Sequence, residues 1–181
     1  APPLLDGLGR AIRSPQTWLI GLYISATVVP YIGLAALWGV PYLMEAHGMS
    51  RTEAAIGLSF LLAAHGLMSP VMGWLSDRIG RRKPVLFLCA VLELIALLAI
   101  LYLPGLPGWA IHALLFLLGT GSTGIVVGFA AGREAAPAGA TGAALSTINA
   151  IVMTVAGLIH PAIGLALDLN WEGVVVDGAR Q

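Results

Sequence analysis

The stretch GWLSDRIGRRK, residues 73–83, decides the fold because it separates two long apolar segments with a short, highly charged connection. The chain of 181 residues is 58% hydrophobic and only 10% charged, with a mean hydropathy of +0.90. Soluble domains carry about 25% charged residues, so this composition is typical of a membrane protein. A charged connection between apolar segments predicts a turn at the membrane surface between two spanning helices.

Five apolar segments reach the length of about 20 residues that is needed to cross about 30 Å of hydrocarbon. The predicted fold class is therefore an all-α membrane protein, a bundle of five transmembrane helices. The predicted spans are residues 17–42, 54–75, 84–103, 109–131 and 143–167. We expect residues 1–16 to form an amphipathic lead-in at the cytoplasmic surface and residues 168–181 to form an extracytoplasmic tail.

The distribution of basic residues predicts the orientation of the bundle. Seven of the nine Lys and Arg residues fall on the same side as the amino terminus, and basic residues are retained on the cytoplasmic face. We therefore expect a multi-pass protein with a cytoplasmic amino terminus, and its compact loops and richness in Ala, Leu and Gly favour a bacterial inner membrane. The nine basic residues are balanced by nine acidic ones, so the predicted partner is the lipid bilayer and not a nucleic acid.

Small residues recur every four positions along the fourth span and predict a helix-packing seam. These residues are Thr120, Gly124, Gly128 and Gly132. Such a stripe lets helix backbones approach closely in lipid. The string GTGSTG at 119–124 lies inside this apolar span without a preceding strand, so no nucleotide cofactor is expected. The chain has a single cysteine and no paired-histidine motif, so neither a metal site nor an enzymatic activity is expected.

Two ionisable side chains, His65 and Glu93, fall near the middle of their spans. Burying such groups is costly, so each needs a partner or a function. They could meet across adjacent helices, and either could carry a proton. Tyr31, near the bend expected at Pro30, and Asn149 are further candidates for a cavity, with aromatic packing and interhelical hydrogen bonding as the alternatives.

The loop at 73–83 closely resembles the G-x-L-x-D-R-x-G-R-R signature of the major facilitator superfamily of secondary transporters. The resemblance implies a six-helix half in which this loop joins the second and third helices. It also implies a conformational latch, with Asp77 as the acid that meets the opposite half. The latch loop comprises Gly73, Asp77, Arg78, Gly80, Arg81 and Arg82, where the three arginines form the basic framework and the glycines permit close approach and a tight turn.

The region from Glu134 to Pro137, together with the pattern around Asn149, Pro161 and Asp168, resembles the tenth and eleventh helices of that family. The resemblance therefore implies a carboxyl-terminal half whose amino-terminal six-helix partner is missing. The expected function is proton-coupled transport of an unidentified small solute by alternating access. The alternative is a non-transporting membrane partner that packs as a half-bundle on another chain.

Overall fold

The structure is a computed structural model that describes residues 4–169, 175–176 and 179–180. A lead helix, Leu4–Arg13, precedes five helices that are long and apolar enough to cross a membrane. They are span 1, Pro15–His47; span 2, Arg51–Ile79; span 3, Arg82–Tyr102; span 4, Gly108–Glu134; and span 5, Thr141–Leu169. The predicted class, an all-helical bundle with five spans, is confirmed.

Span 2 has well-defined ends, and these ends position the charged loop. Ser50 and Glu53 form a reciprocal capping box, in which the Glu53 backbone N–H donates to Ser50 Oγ at 3.2 Å. At the other end Gly80 adopts a φ of +68°, a conformation that glycine takes without strain. Its N–H donates to the carbonyl oxygens of Ser76 and Asp77. This cap places Asp77 in the last turn of span 2, five residues before Arg82 at the start of span 3.

Two spans are irregular near their middle. In span 1 a π-helical segment, Gly33–Trp38, follows the turn that contains Pro30. In span 4 the α-helix is interrupted at Thr123, where the Thr123 hydroxyl donates to the Thr120 carbonyl at 2.6 Å. Breaks of this kind are tolerated in lipid only when nearby groups satisfy the backbone, as this hydroxyl does.

Span 4 forms the centre of the bundle. In the apolar 18-residue stretch of span 4, 56% of the residues are buried inside the protein. The corresponding share is 28–33% in the other spans. Spans 2 and 3 pack along it on two sides, and span 1 packs on both span 4 and span 5. Glycines allow this close approach, because a Cβ atom at Gly121 would lie 2.6 Å from the Glu93 backbone nitrogen.

The predicted packing seam on span 4 faces spans 1 and 5. A Cβ atom at Gly128 would lie 2.7 Å from Ile24 of span 1, and one at Gly132 would lie 2.6 Å from Ile148 of span 5. Gly124 faces the Tyr23 hydroxyl. Thr120 is buried and its hydroxyl donates to the backbone of its own helix at Phe116.

The lead helix packs against the start of span 5, where Gly7 approaches Ala140 and Ala143. Arg10 strengthens this contact by donating to the Ala138 carbonyl at 3.0 Å. The predicted tail at 168–181 lies largely outside the described residues. Within it, Val175–Val176 and Ala179–Arg180 pair as two short antiparallel strands.

Candidate functional site

Arg82 joins three spans at one end of the bundle, which we call the basic end. Its Nη1 lies 2.6 Å from Asp77 Oδ1 at the end of span 2 and 3.0 Å from the Ser76 hydroxyl. Its Nη2 and Nε donate to Glu134 at the end of span 4, at 2.6 and 3.1 Å. The planar guanidinium thus holds two carboxylates from different helices in the geometry that suits arginine and not lysine.

The other residues of the predicted latch loop do not enter this cluster. Arg78 lies over the Trp74 ring, 5.1 Å from its centroid, and Arg81 is exposed at the amino-terminal cap of span 3. Gly73 has no atom within 4 Å of the position that a Cβ would take. Among the described residues, Arg82 is therefore the arginine of the loop that pairs with Asp77.

A cavity of about 490 Å³ opens beside the cluster, between spans 1, 3 and 4. Arg82 and Glu134 line its mouth, and Tyr23 lies at its inner end with its hydroxyl bonded to the Leu86 carbonyl at 2.8 Å. The walls are mostly apolar, and three charged side chains, those of Arg82, Lys83 and Glu134, lie among them.

His65 lies at the centre of span 2, fourteen residues from both Arg51 and Ile79. At about 1.5 Å per residue, each end of the span is about 21 Å away. The His65 ring is half-buried, and its Nδ1 lies 2.7 Å from the Ser122 hydroxyl of span 4. The Tyr31 ring of span 1 packs on it, with 4.8 Å between the ring centroids and 30° between the planes. Three spans therefore meet at this imidazole.

The hydrogen bonds of Ser122 determine which nitrogen of His65 carries the proton. Ser122 is fully buried, and its hydroxyl donates to the Gly119 carbonyl at 2.7 Å. Because its one hydrogen is used there, the oxygen accepts from His65 Nδ1–H. In the neutral ring, Nε2 is then the nitrogen without a proton. Nε2 has no hydrogen-bond partner within the described part of the chain, and it is not fully buried.

Glu93 lies on the opposite side of span 4 from His65. Its side chain is only 5% exposed, and Oε1 is buried without a hydrogen-bond partner among the described residues. The Thr27 hydroxyl of span 1 lies beside the carboxyl group. The expectation that His65 and Glu93 could meet is wrong, because span 4 separates them: Ser122 faces His65, and Gly121 faces Glu93.

Asn149 is exposed on span 5 and has no side-chain hydrogen bond in the described structure. It lies eight residues after Thr141, about 12 Å from the start of the span, and is therefore shallower than His65. Of the four candidate cavity residues, the structure brings Tyr31 and His65 together and leaves Asn149 and Glu93 apart from them.

Two partners were missed from the sequence. In the sequence Ser122 stands in a glycine-rich string, and its position fourteen residues into span 4 puts it at the depth of His65. The family pattern contains Glu134 but does not identify its partner, although an acid at a span end near a basic loop is suited to an ion pair. No group of three His, Cys, Asp or Glu residues in the described ranges could hold a metal ion.

The sequence profile of the Major Facilitator Superfamily matches residues 16–176. The chain belongs to this superfamily. Superfamily membership and the five apolar helices together identify an integral, multi-pass membrane protein. The charged loop that suggested the resemblance lies where the superfamily signature requires it, between spans 2 and 3.

Two curated proteins have related sequences. The probable nitrate/nitrite transporter NarK2 of Mycobacterium tuberculosis is 30% identical over 161 residues, which cover 87% of this chain and 38% of that protein. The probable nitrate/nitrite antiporter NarK1 of Thermus thermophilus is 33% identical over 81 residues, which cover 45% of this chain and 18% of that protein. The chain therefore spans less than two fifths of the length of these relatives. No solved structure matches it significantly.

Proposed function

We propose that this chain is the carboxyl-terminal half of a secondary active transporter that moves a small solute by alternating access. In this proposal the basic end faces the cytoplasm of a bacterial cell, and an amino-terminal six-helix half completes the cavity. Superfamily membership and the names of the relatives support membrane transport as the activity. A proton gradient is the proposed source of energy, with His65 and Glu93 as the candidate proton sites.

The observation that carries this proposal is the arrangement of the Arg82 cluster. Arg82 fixes the ends of spans 2, 3 and 4 to one another, yet the Asp77 side chain remains 67% exposed. An exposed carboxylate held at a helix end is available to a second half-bundle, where a helix amino terminus would attract it. Such a contact is worth about 0.3 to 2 kcal/mol, which changes a two-state balance severalfold to about thirtyfold. It would therefore bias the transporter towards one state without trapping it there.

Nitrate and nitrite are the first solutes to assay, because both relatives carry them in their names. Among the described residues, Lys and Arg lie only near the ends of the spans, so this half offers no fixed cation at mid-depth for an anion. The proposal accordingly assigns any permanent cation in the cavity to the amino-terminal half. Asn149 is exposed and has no side-chain hydrogen bond among the described residues, so it is available to the solute or to that second half.

The latch is tested by Asp77→Asn in the complete natural polypeptide, purified and reconstituted in proteoliposomes. Since the exposed carboxylate acts on the balance of states and not on the solute, we expect kcat to fall severalfold to about thirtyfold, with KM changed less. Glu45→Gln is the matched control, because Glu45 is exposed near the opposite end of span 1. An unchanged kcat in Asp77→Asn at equal protein incorporation contradicts the latch.

The alternative function, a non-transporting half-bundle that packs on another chain, is separated by the intact mass of the polypeptide in its source membrane. A transporter half belongs to a polypeptide of about twice 18.7 kDa or more. A native mass near 18.7 kDa, together with a copurifying partner and no solute flux, would favour the alternative.

A further inference from the structure

We propose that His65 binds a proton and a small monovalent anion together, with the anion held by the Nε2–H of the protonated imidazole. This inference rests on the proposed transport function and assigns a substrate class to its mid-depth site. It follows from the hydrogen bonds of the ring, from the absence of a neighbouring carboxylate, and from the positions of the fixed cations.

The ring is oriented so that one nitrogen remains available. Nδ1–H is used by Ser122, whose own hydrogen is used by Gly119, so this side of the ring is already satisfied. The Tyr31 ring restricts the imidazole from a second direction. A proton taken up by the site must therefore go to Nε2, where it creates a hydrogen-bond donor without a protein acceptor in the described part of the chain.

The surrounding spans offer no acid to neutralise that charge. Span 4 contributes Ser122, and span 1 contributes the neutral phenol of Tyr31. On span 3, Cys89 and Glu93 face Gly121 of span 4, whereas His65 faces Ser122. On span 5, His160 is bonded to the Val29 carbonyl on another face of span 1. Among the described residues, no carboxylate oxygen lies within 4.0 Å of a His65 nitrogen.

Protonated His65 would also be the cation that this half lacks at mid-depth. The described Lys and Arg residues lie near the span ends, whereas His65 is fourteen residues from each end of span 2. Nε2 is not fully buried, because it has no hydrogen-bond partner among the described residues and yet is not a buried unpaired atom. Within one turn of His65 on span 2, Gly66 is exposed and Ser69 is partly exposed.

Charge balance then couples the two ligands. An uncompensated imidazolium is unfavourable at the centre of a membrane, and so is an unpaired anion. Bound together they form a neutral pair, so each ligand increases the affinity of the other by the same factor. We therefore expect one proton to accompany each anion. When the loaded site then turns from one side of the membrane to the other, it should carry no net charge across.

The test uses the complete polypeptide, purified in detergent, with nitrate, nitrite, formate and acetate as probes. At pH values above the titration of the free site, we expect the affinity of the bound anion to fall by up to tenfold per pH unit. Calorimetry in buffers of different ionisation enthalpy should show uptake of about one proton per anion. In proteoliposomes the same anion should drive proton influx.

Three variants distinguish an anion site from a structural role for His65. His65→Gln should weaken anion binding at low pH by at least about tenfold and abolish its pH dependence. His65→Arg supplies a permanent cation, so it should bind the anion without pH dependence and transport it without protons. His112→Gln is the matched control, because His112 bonds the Glu53 carbonyl near the opposite end of the bundle and should behave like the wild type.

Several results would overturn the inference while leaving the transport function intact. They are transport of a neutral or cationic solute with none of the four anions bound, anion binding that does not depend on pH, and wild-type anion binding in His65→Gln. If the complete polypeptide transports no solute of any charge class, the proposed function fails and this inference fails with it. Thermal unfolding of each variant reports whether it remains folded, and His65→Arg provides an independent readout if His65→Gln is unstable.

Discussion

Gly121 and Ser122 are neighbours at the centre of span 4, but they form very different contacts. Gly121 is pressed against the backbone of span 3 at Cys89 and Glu93, with no space for a methyl group. Ser122 faces span 2, where its hydroxyl meets the half-buried ring of His65. The two ionisable groups at mid-depth thus lie on opposite sides of one helix, in a sealed environment and a partly open one.

This difference distinguishes the two candidate proton sites and favours His65 over Glu93. Glu93 is only 5% exposed, so in the described structure a solute has little access to it. A ring with one fixed nitrogen and one accessible nitrogen can exchange a ligand. Equal depth in the membrane therefore does not imply equal function, because the packing around each group decides what can reach it.

The largest expected effect is the loss of stability in Gly121→Ala, which disrupts the close packing of span 4 on span 3. The added Cβ would lie 2.6 Å from the Glu93 nitrogen and 2.7 Å from the Cys89 carbonyl oxygen, so two helix backbones must move apart. Overpacking typically costs about 1 to 3 kcal/mol, and the upper end applies here because the Cβ meets backbone atoms and not a flexible side chain. The thermal unfolding temperature and the yield of monodisperse protein should both fall sharply. Gly9→Ala is the control, since no atom lies within 4 Å of its Cβ position.

A Gly121→Ala variant that unfolds at the wild-type temperature would show that spans 3 and 4 do not pack as closely as described. The Glu93 side could then admit water, and the contrast between the two sides would be lost. Because Gly9 lies on the exposed face of the lead helix, its substitution measures the general effect of replacing a helical glycine.

The sequence predicts the number of spans and the depth of the ionisable groups, because both depend on apolar length and on helical rise. It does not predict which groups meet. In lipid, apolar side chains face both the bilayer and the protein core, as the exposed Leu67 and the buried Leu61 of span 2 illustrate. The periodicity that identifies the buried face of a soluble helix is therefore weak. For this reason the sequence alone does not separate His65 from Glu93.

The charged loop was more informative than the spans. Gly80 predicts the tight turn, and the turn brings Asp77 and Arg82 together through local geometry alone. The contact between Arg82 and Glu134 joins residues 52 positions apart, so no local pattern predicts it. Likewise, the partnership of Ser122 with His65 depends on how spans 2 and 4 pack.

An intermediate effect is expected from Arg82→Gln at the basic end, where Arg82 of span 3 holds spans 2 and 4 together. Arg82 bonds span 2 through Asp77 and span 4 through Glu134, so its loss leaves two carboxylates without their shared cation. Charge-assisted hydrogen bonds contribute about 1.5 to 3 kcal/mol, and solvent access at this exposed cluster reduces the effect towards the lower value. We expect unfolding at a temperature lower by several degrees and turnover reduced about tenfold.

The geometry of the arginine provides a graded test. Arg82→Lys keeps the charge but cannot reach both carboxylates with a planar fork, so its turnover should lie between that of the wild type and that of Arg82→Gln. Lys83→Gln is the neighbouring control, because Lys83 is exposed and has no ion pair in the described structure. Equal losses in Arg82→Gln and Lys83→Gln would indicate a general effect of loop charge and would contradict a specific cluster.

The smallest effect is expected from Glu93→Gln, which tests the sealed side chemically. Gln has the shape of a neutral Glu, and the described residues place no cation within 4.0 Å of this carboxyl. We therefore expect the free energy of unfolding to change by less than about 1 kcal/mol. Transport and its pH dependence should remain within about twofold of the wild type, in contrast to the losses expected for His65→Gln. If instead Glu93→Gln folds normally but transports solute without protons, the proton site belongs on the span 3 side of span 4. The sealed packing around Gly121 must then open during the transport cycle, because a proton can reach a buried carboxyl only through a hydrated path.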